Sequence, residues 1–293
     1  MKKLSLFLVF ILSFALMTGC AQKASTDPAK KAILVVSFGT SYADTRELSI
    51  EATENRFKEE FPDYDIVRAF TAQIIIDVLK DRDNIEVFNV DEALNDLKDK
   101  KYSSVIIQPL HVMNGAEYDE LVEGTKKFVE EKAFDELKIS KPLLTSVEDY
   151  KETVASLESQ LPELQDNEAV VFMGHGTHHF ANSTYAAMEY TLQDLGHKNV
   201  FVGTVEGYPG LDEVLSRLKE NNIEKVTLMP FMLVAGDHAN NDMGGDEDDS
   251  WKTVLKKAGY EVDVYMHGLG EVKGVQDIYL KHAHETIEGQ EEE

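Results

Sequence analysis

The chain has 293 residues, 43% of them apolar, enough for one large domain or two ordinary ones with a proper core. Asp and Glu number 54 against 29 Lys and Arg, for a net charge of -25. Such a field repels phosphate backbones and anionic membrane surfaces, which excludes nucleic acid as a partner, while a metal cation is drawn toward it.

Met1, Lys2 and Lys3 give the chain a positive start, Leu4 to Leu16 form an apolar run broken only by Ser5 and Ser13, and Met17, Thr18, Gly19 and Cys20 follow. That order predicts a secretory signal over residues 1–19. Cys20, the single cysteine, stands where bacterial lipoproteins are cleaved and acylated, so the segment resembles a lipobox, with Met17 where Leu is more usual. An ordinary signal peptide with an incidental Cys20 is the alternative. Residues 20–30 then form a short tether. The expectation is an extracytoplasmic protein, at the cell surface or in the periplasm, which meets the membrane only through a lipid on Cys20.

From Lys31 onward, strand-length apolar runs alternate with segments of helical period. Strands are predicted at Ala32–Phe38, Asp65–Phe70, Ser104–Gln108, near Leu137, and at Ala169–Met173, Val200–Thr204, Lys225–Met229 and Glu261–Met266. Helices are predicted at Asp44–Glu60, with Leu48, Ala52 and Phe57 on the apolar face, and at Ile74–Lys80, Asp91–Lys100, Glu117–Lys132 and Val147–Leu161. The remaining helices are Thr184–Leu195, Leu211–Glu220, Asp242–Ala258 and Val272–Ile287. This alternation predicts an α/β fold with parallel sheets covered on both faces.

The two halves resemble each other. Ser37 to Thr45 lies on Gly174 to Thr184 at an offset of 137, and Val105 to Glu117 lies on Val226 to His238 at an offset of 121. In that register Pro109 falls on Pro230 and Glu117 on His238. The pattern predicts a duplicated domain with a cleft between halves 31–146 and 147–293.

Three polar residues of the second half follow consecutive predicted strands. His175 follows the strand at Val170 in GHGTHH, Glu206 follows the strand at Phe201, and His238 follows the strand at Thr227. Parallel strands put all three at one carboxyl edge, where open α/β sheets place their chemistry. Two imidazoles and a carboxylate suit a divalent transition metal with open coordination positions. Taken singly, each has a plainer reading: a helix cap for His175, a first-turn carboxylate for Glu206, a solvated loop residue for His238. The acidic run of Asp242 and Asp246 to Asp249 is read as a solvated helix start.

GHGTHH, TVEGYP and MPFMLVAGDHANNDM, together with SFGTS, RAFTAQII and QPLHVMNGAEY, resemble the CbiK-type sirohydrochlorin cobaltochelatases. These belong to the class II chelatases. The likeness runs from Lys31 to about Ile287. It implies two flavodoxin-like (chelatase-type) α/β/α halves around a tetrapyrrole cleft, and insertion of Co²⁺, or Fe²⁺, into sirohydrochlorin without a nucleotide. It also implies that His175, Glu206 and His238 are both the metal ligands and the catalytic residues, with His175 as base.

Ser37, Thr40, Phe70 and Thr71 are expected to line the cleft and contact the macrocycle, with Arg46 and Arg68 as candidates for its carboxylates. His111 is expected either to face the ring, to bind a haem-type iron axially, or to pack beside Met113. The alternative function is a tetrapyrrole, haem or metal-binding lipoprotein that serves an uptake transporter; a homo-oligomer is left open.

Overall fold

The computed structural model describes residues 29–289, so the predicted signal segment, Cys20 and most of the tether lie outside the described residues. In chain order the elements are β1 (Lys31–Ser37), α1 (Ala43–Thr45), α2 (Ala52–Glu60), β2 (Asp65–Phe70), α3 (Gln73–Asp83), β3 (Phe88–Asn89), α4 (Val90–Asp99), β4 (Ser104–Pro109), α5 (Ala116–Glu130) and β5 (Glu136–Ile139). They continue with α6 (Val147–Leu157), β6 (Glu168–Gly174), α7 (Ser183–Asp194), β7 (Val200–Thr204), α8 (Leu211–Glu220), β8 (Lys225–Pro230), α9 (Trp251–Lys257), β9 (Glu261–Val264) and α10 (Lys273–Glu288). No helix among the described residues is long and apolar enough to cross a membrane.

The strands form two sheets, ordered β3-β2-β1-β4-β5 and β7-β6-β8-β9, with every pairing between these strands parallel. Leaving out the short β3, the order 2-1-3-4 recurs in both sheets, which is the flavodoxin-like winding. The repeat holds to the residue. Val36 pairs with Pro109 in the first sheet and Met173 with Pro230 in the second, the same correspondence that the two sequence offsets give.

Each sheet is buried on both faces along its central strands, whose middle positions are largely apolar. Ile33 and Val35 of β1, with Val170 and Phe172 of β6, enter one core shared by the two halves. Their neighbours Ala32, Leu34 and Val36, and Ala169, Val171 and Met173, enter two separate outer cores. Alternate side chains of a strand point to opposite faces, so one apolar run serves two cores.

Two predicted helices need correction. The segment over Asp44–Glu60 contains a π-helical turn at Arg46–Glu51, which shifts the helical phase. Leu48, expected on the apolar face, is 52% exposed, whereas Phe57 is buried as expected, together with Ile50 and Thr53; at about 100° per residue Leu48 lies half a turn from Phe57, on the opposite side of the helix. The helix predicted at Asp242–Ala258 is not continuous. A π-helical turn at Ala239–Met243 ends at Gly244 and Gly245, and α9 restarts at Trp251 with Ser250 as its N-cap. Two consecutive glycines carry a high helical entropy cost, and a serine hydroxyl that accepts from Thr253 N–H at 3.2 Å gives the chain a new start.

The expected division at 146/147 places α10 and α6 together in the second half, and α10 packs both on α6 and on the first half. The Tyr279 hydroxyl donates to the carbonyls of Leu110 and His111 at 3.1 and 3.2 Å, and Arg56 pairs with Asp277 at 2.5 Å. His282 on α10 meets Asp149 on α6 at 2.9 Å, and both side chains are 1% exposed. Burial alone would raise the Asp149 pKa. The His282 bond and charge, the Ser146 N–H and Lys281 more than offset that and hold the carboxyl well below its ordinary range.

Candidate metal centre

Ligand atoms of His175, Glu206 and His238 all lie within 4.8 Å of one another. Two ligands on one ion at bond lengths near 2.1 Å stand at most about 4.2 Å apart, so the cluster is within a small adjustment of holding a single metal. The His175 and His238 rings sit edge to face, with centroids 4.6 Å apart. His175 Nδ1 is 2.8 Å from the Gly176 carbonyl and His238 Nδ1 is 2.7 Å from Asp242 Oδ2. A carbonyl or carboxylate acceptor assigns the proton to Nδ1 in each neutral ring, which leaves both Nε2 lone pairs for a metal.

The sheet edge brings these residues together as the sequence order predicts. Beyond the last strand pair, Val205 N–H donates to the Gly174 carbonyl at 3.0 Å and Glu206 N–H to the His175 carbonyl at 2.8 Å, so the loops after β6 and β7 remain zipped. Glycine makes this approach feasible. Gly176 has φ +85°, and a Cβ there would lie 2.5 Å from Gly207 N. Gly176→Ala is expected to cost more than the roughly 1–2 kcal/mol of a left-handed alanine, because backbone must also move. A fall in melting temperature together with weakened Co²⁺ binding checks this, and a variant with wild-type values of both would contradict it.

A cavity of about 500 Å³ opens between the halves, with His175 and His238 in its wall. This is an ordinary size for a small-molecule site. Ile74, Leu110, Val112 and Met113 come from the first half, Phe231 to Val234 from the second, and among the described residues no Lys or Arg lines the cavity. Polar contacts between the halves near the cavity include the Tyr42 hydroxyl to Asp237 Oδ1 at 3.3 Å and His179 Nε2 to Asp119 Oδ2 at 3.3 Å. Glu206 is exposed and reaches the cluster from outside the cavity wall.

The duplication explains why the metal cluster is one-sided. The bonds Thr71 N–H to Ser37 O and Ala72 N–H to Phe38 O repeat those of Val205 and Glu206, so Phe38 occupies the place of His175 and Ala72 that of Glu206. Glu117, on the His238 position, lines the cavity, and Phe38 lines it while 48% exposed. The first half thus offers a ring and a carboxylate where the second offers three ligands.

Other expected contacts fall differently. Thr40 lines the cavity, although its hydroxyl accepts from Tyr42 N–H at 3.2 Å. Ser37, Phe70 and Thr71 do not line it: Ser37 and Phe70 are buried beneath the Gly39 turn, where a Cβ would strike the Phe70 ring at 2.5 Å. Arg68 is held by both Glu54 oxygens at 2.6 Å, and Arg46 is buried beside Glu51 at 3.6 Å, so neither presents charge to the cavity. His111 is in the wall, but both ring nitrogens are enclosed with no hydrogen-bond partner among the described residues. Burial, opposed in part by Glu117, lowers its pKa to about 4, so the ring is neutral near pH 7.

Of the site residues not anticipated, Glu117 and Phe38 were visible in the repeat register, on His238 and His175. Tyr42 and Asp237 carry no local pattern that marks them. Asp242 stands four residues after His238 and was hidden within an acidic run.

The sequence profile of the cobalt chelatase (CbiK) family matches residues 31–288. The chain is 41% identical over 260 residues to the sirohydrochlorin cobaltochelatase of Salmonella typhimurium, covering 88% of this chain and 97% of that one. It is 34% identical over 254 residues to the sirohydrochlorin cobaltochelatase CbiKC of Nitratidesulfovibrio vulgaris, covering 86% and 89%. Among solved structures, SirB from Bacillus subtilis with Fe³⁺ superposes with a TM-score of 0.62 at 18% identity, over 89% of this chain and 98% of that one. The sirohydrochlorin chelatase SirB from Bacillus subtilis subspecies spizizenii in complex with cobalt gives 0.62 at 16%, over 89% and 97%. These last two likenesses establish the fold, and the profile with the two relatives establishes that the chain belongs to the cobalt chelatase (CbiK) family.

Proposed function

We propose that the protein is a sirohydrochlorin cobaltochelatase, inserting Co²⁺ into sirohydrochlorin with release of two protons and without a nucleotide. The observation that carries the reading is the His175/Glu206/His238 cluster set in the wall of an apolar cavity between two duplicated halves. Membership of the family and the names of the two relatives support the substrate and the metal.

Metal insertion requires the ion to lose water ligands, the macrocycle to expose its nitrogens, and two pyrrole N–H protons to leave. Two Nε2 lone pairs and one carboxylate replace part of the hydration shell and leave positions for ring nitrogens. Each imidazole also has a lone pair that can accept a pyrrole proton once the ion has passed to the ring. Glu206, on the exposed side, offers a route for ion and protons to solvent. Because no Lys or Arg among the described residues lines the cavity, the acidic groups of the macrocycle are read as facing solvent, with the apolar wall holding the ring.

Phe38 has the place in this reading of a stacking surface. Phe38→Ala is expected to raise the KM for sirohydrochlorin about 5- to 100-fold, the range of one lost base-type stacking contact, with Co²⁺ affinity unchanged; titration of each substrate separately checks it.

His111 enters as neutral wall. Axial ligation of a haem iron would need a ring nitrogen presented to the cavity, and both are enclosed.

The defining experiment follows the absorbance change of sirohydrochlorin with Co²⁺ and the purified protein. Metallation above the uncatalysed background supports the reading; none overturns it, and retained binding of a cobalt tetrapyrrole would then favour a carrier. Export and a lipid on Cys20 are proposed on the residues of the N-terminal segment alone. Mass spectrometry of membrane-extracted protein should find a diacylglyceryl group on Cys20, and an unmodified N-terminus would count against it.

A further inference from the structure

The acidic residues after His238 differ sharply in what they touch. Asp246 and Asp248 pair with Lys252 and Lys257 at 2.7 Å on the exposed surface. Asp242 instead turns back one helical step, and its Oδ2 lies 2.7 Å from His238 Nδ1. Residues four apart on a helical turn are neighbours, and Asn240 anchors the turn at Ala239–Met243 through the carbonyls of Ala235 and Gly236 at 3.1 and 2.7 Å. His175, by contrast, has only its neighbour's carbonyl at Nδ1.

We infer that Asp242 is a positioning residue for His238: its carboxylate holds the proton on Nδ1, fixes the ring plane, and keeps the Nε2 lone pair aimed into the cluster. This inference rests on the reading of that cluster as the Co²⁺ site. The general chemistry is that of a ligating histidine whose second nitrogen donates to a carboxylate. Such a partner sets the tautomer, restricts ring rotation and makes the ligating nitrogen a better donor. Without it, His238 is free to carry its proton on Nε2, where it opposes the ion. The two histidines are therefore unequal, with His238 the more firmly oriented.

The test uses Asp242→Ala and Asp242→Asn in the full chain. Asp242 is partly exposed and at the surface of its turn, and circular dichroism and the melting temperature establish that each variant is folded. In the metal-free protein at a pH where the ring is neutral, nitrogen NMR should show His238 of the wild type with its proton on Nδ1. Asp242→Ala should move the population toward Nε2–H. Asp242→Asn, which keeps an acceptor oxygen without the charge, should retain most of the Nδ1–H form. Co²⁺ affinity, read by titration of the visible Co²⁺ spectrum, should fall about 10- to 100-fold in Asp242→Ala and less in Asp242→Asn. The KM for the tetrapyrrole should stay at its wild-type value. An unchanged tautomer and Co²⁺ affinity in Asp242→Ala would overturn the inference. Wild-type protein that takes up no Co²⁺ would instead overturn the metal-centre reading and the purpose assigned to Asp242, even with the tautomer shift intact.

Discussion

Replacing His175 by alanine is expected to lower the rate of cobalt insertion by about 10²- to 10⁴-fold, the range associated with loss of a positioned proton-transfer group. The side chain has two roles in the proposed reaction, since its Nε2 is one of three ligand atoms and also one of two imidazole proton acceptors. It has little structural role. The ring is partly exposed, its one hydrogen bond among the described residues is to the adjacent Gly176 carbonyl, and the His238 ring lies edge to face with it at 4.6 Å. The variant should therefore keep the melting temperature of the wild type while losing both turnover and Co²⁺ affinity. Initial rates of metallation at saturating tetrapyrrole, with Co²⁺ varied, separate the two losses. His238→Ala should behave alike, and the double variant should be barely worse than either single one, because residues that act as a unit are strongly non-additive. A His175→Ala rate within about tenfold of wild type would contradict this assignment.

The largest expected effect on stability lies away from the site, at the buried pair that ties α10 to α6. Asp149→Ala leaves His282 and Lys281 without their shared carboxylate in a region where Asp149 and His282 are 1% exposed. Breaking one side of a buried ion pair costs about 3–5 kcal/mol, enough to lower the urea midpoint substantially.

The pH dependence follows from the sign of the Asp149 shift. Its folded pKa is depressed below the unfolded value of about 3.9, so the folded state favours the ionised carboxyl. The resulting stability is fully present above that value and is lost as the pH falls below it toward the folded pKa. Asp149→Asn should accordingly lose less of its remaining stability than the wild type over this acid range. Equal acid slopes for the two proteins would show that the pair does not contribute.

Because Tyr279 on the same helix is bonded to the carbonyls of Leu110 and His111, loosening α10 also reaches the cavity wall. A measurable rise in the KM for the tetrapyrrole in Asp149→Ala, under conditions where the variant remains folded, is the corresponding functional expectation.

Much of the architecture was written in local chemistry. The strands expected at Asp65–Phe70 and Val200–Thr204 match β2 and β7 residue for residue, and the Leu211–Glu220 period matches α8. Strands buried on both faces need apolar residues at nearly every position, which leaves a signal that periodicity cannot blur. The repeat offsets also carried tertiary information, since Pro109 and Pro230 end equivalent strands in equivalent pairings. His175, Glu206 and His238 were legible for a related reason: each follows a parallel strand, and winding direction alone brings such positions to a common edge.

Tertiary structure decided what depends on phase, on side-chain competition and on long-range packing. The π-helical turn at Arg46–Glu51 interrupts the helix expected over Asp44–Glu60, a break that the apolar period there does not mark. Arg46 and Arg68 had the right charge for an anionic ligand, but Glu51 and Glu54 capture them at shorter range. Phe70 and Ser37 lie in the right motif but under the turn, because Gly39 lets the backbone close over the ring. α10 returns to the first half through contacts more than a hundred residues distant in sequence, which no local pattern encodes.

The GHGTHH loop, with Glu206 and His238, was thus determined by the sequence as one edge of a parallel sheet. Its closure into a cluster within 4.8 Å, the place of Ala72 opposite Glu206, and the aspartate behind His238 were decided only by the fold. Strand order fixes which residues share an edge, whereas backbone approach and competing partners fix which of them face the same point.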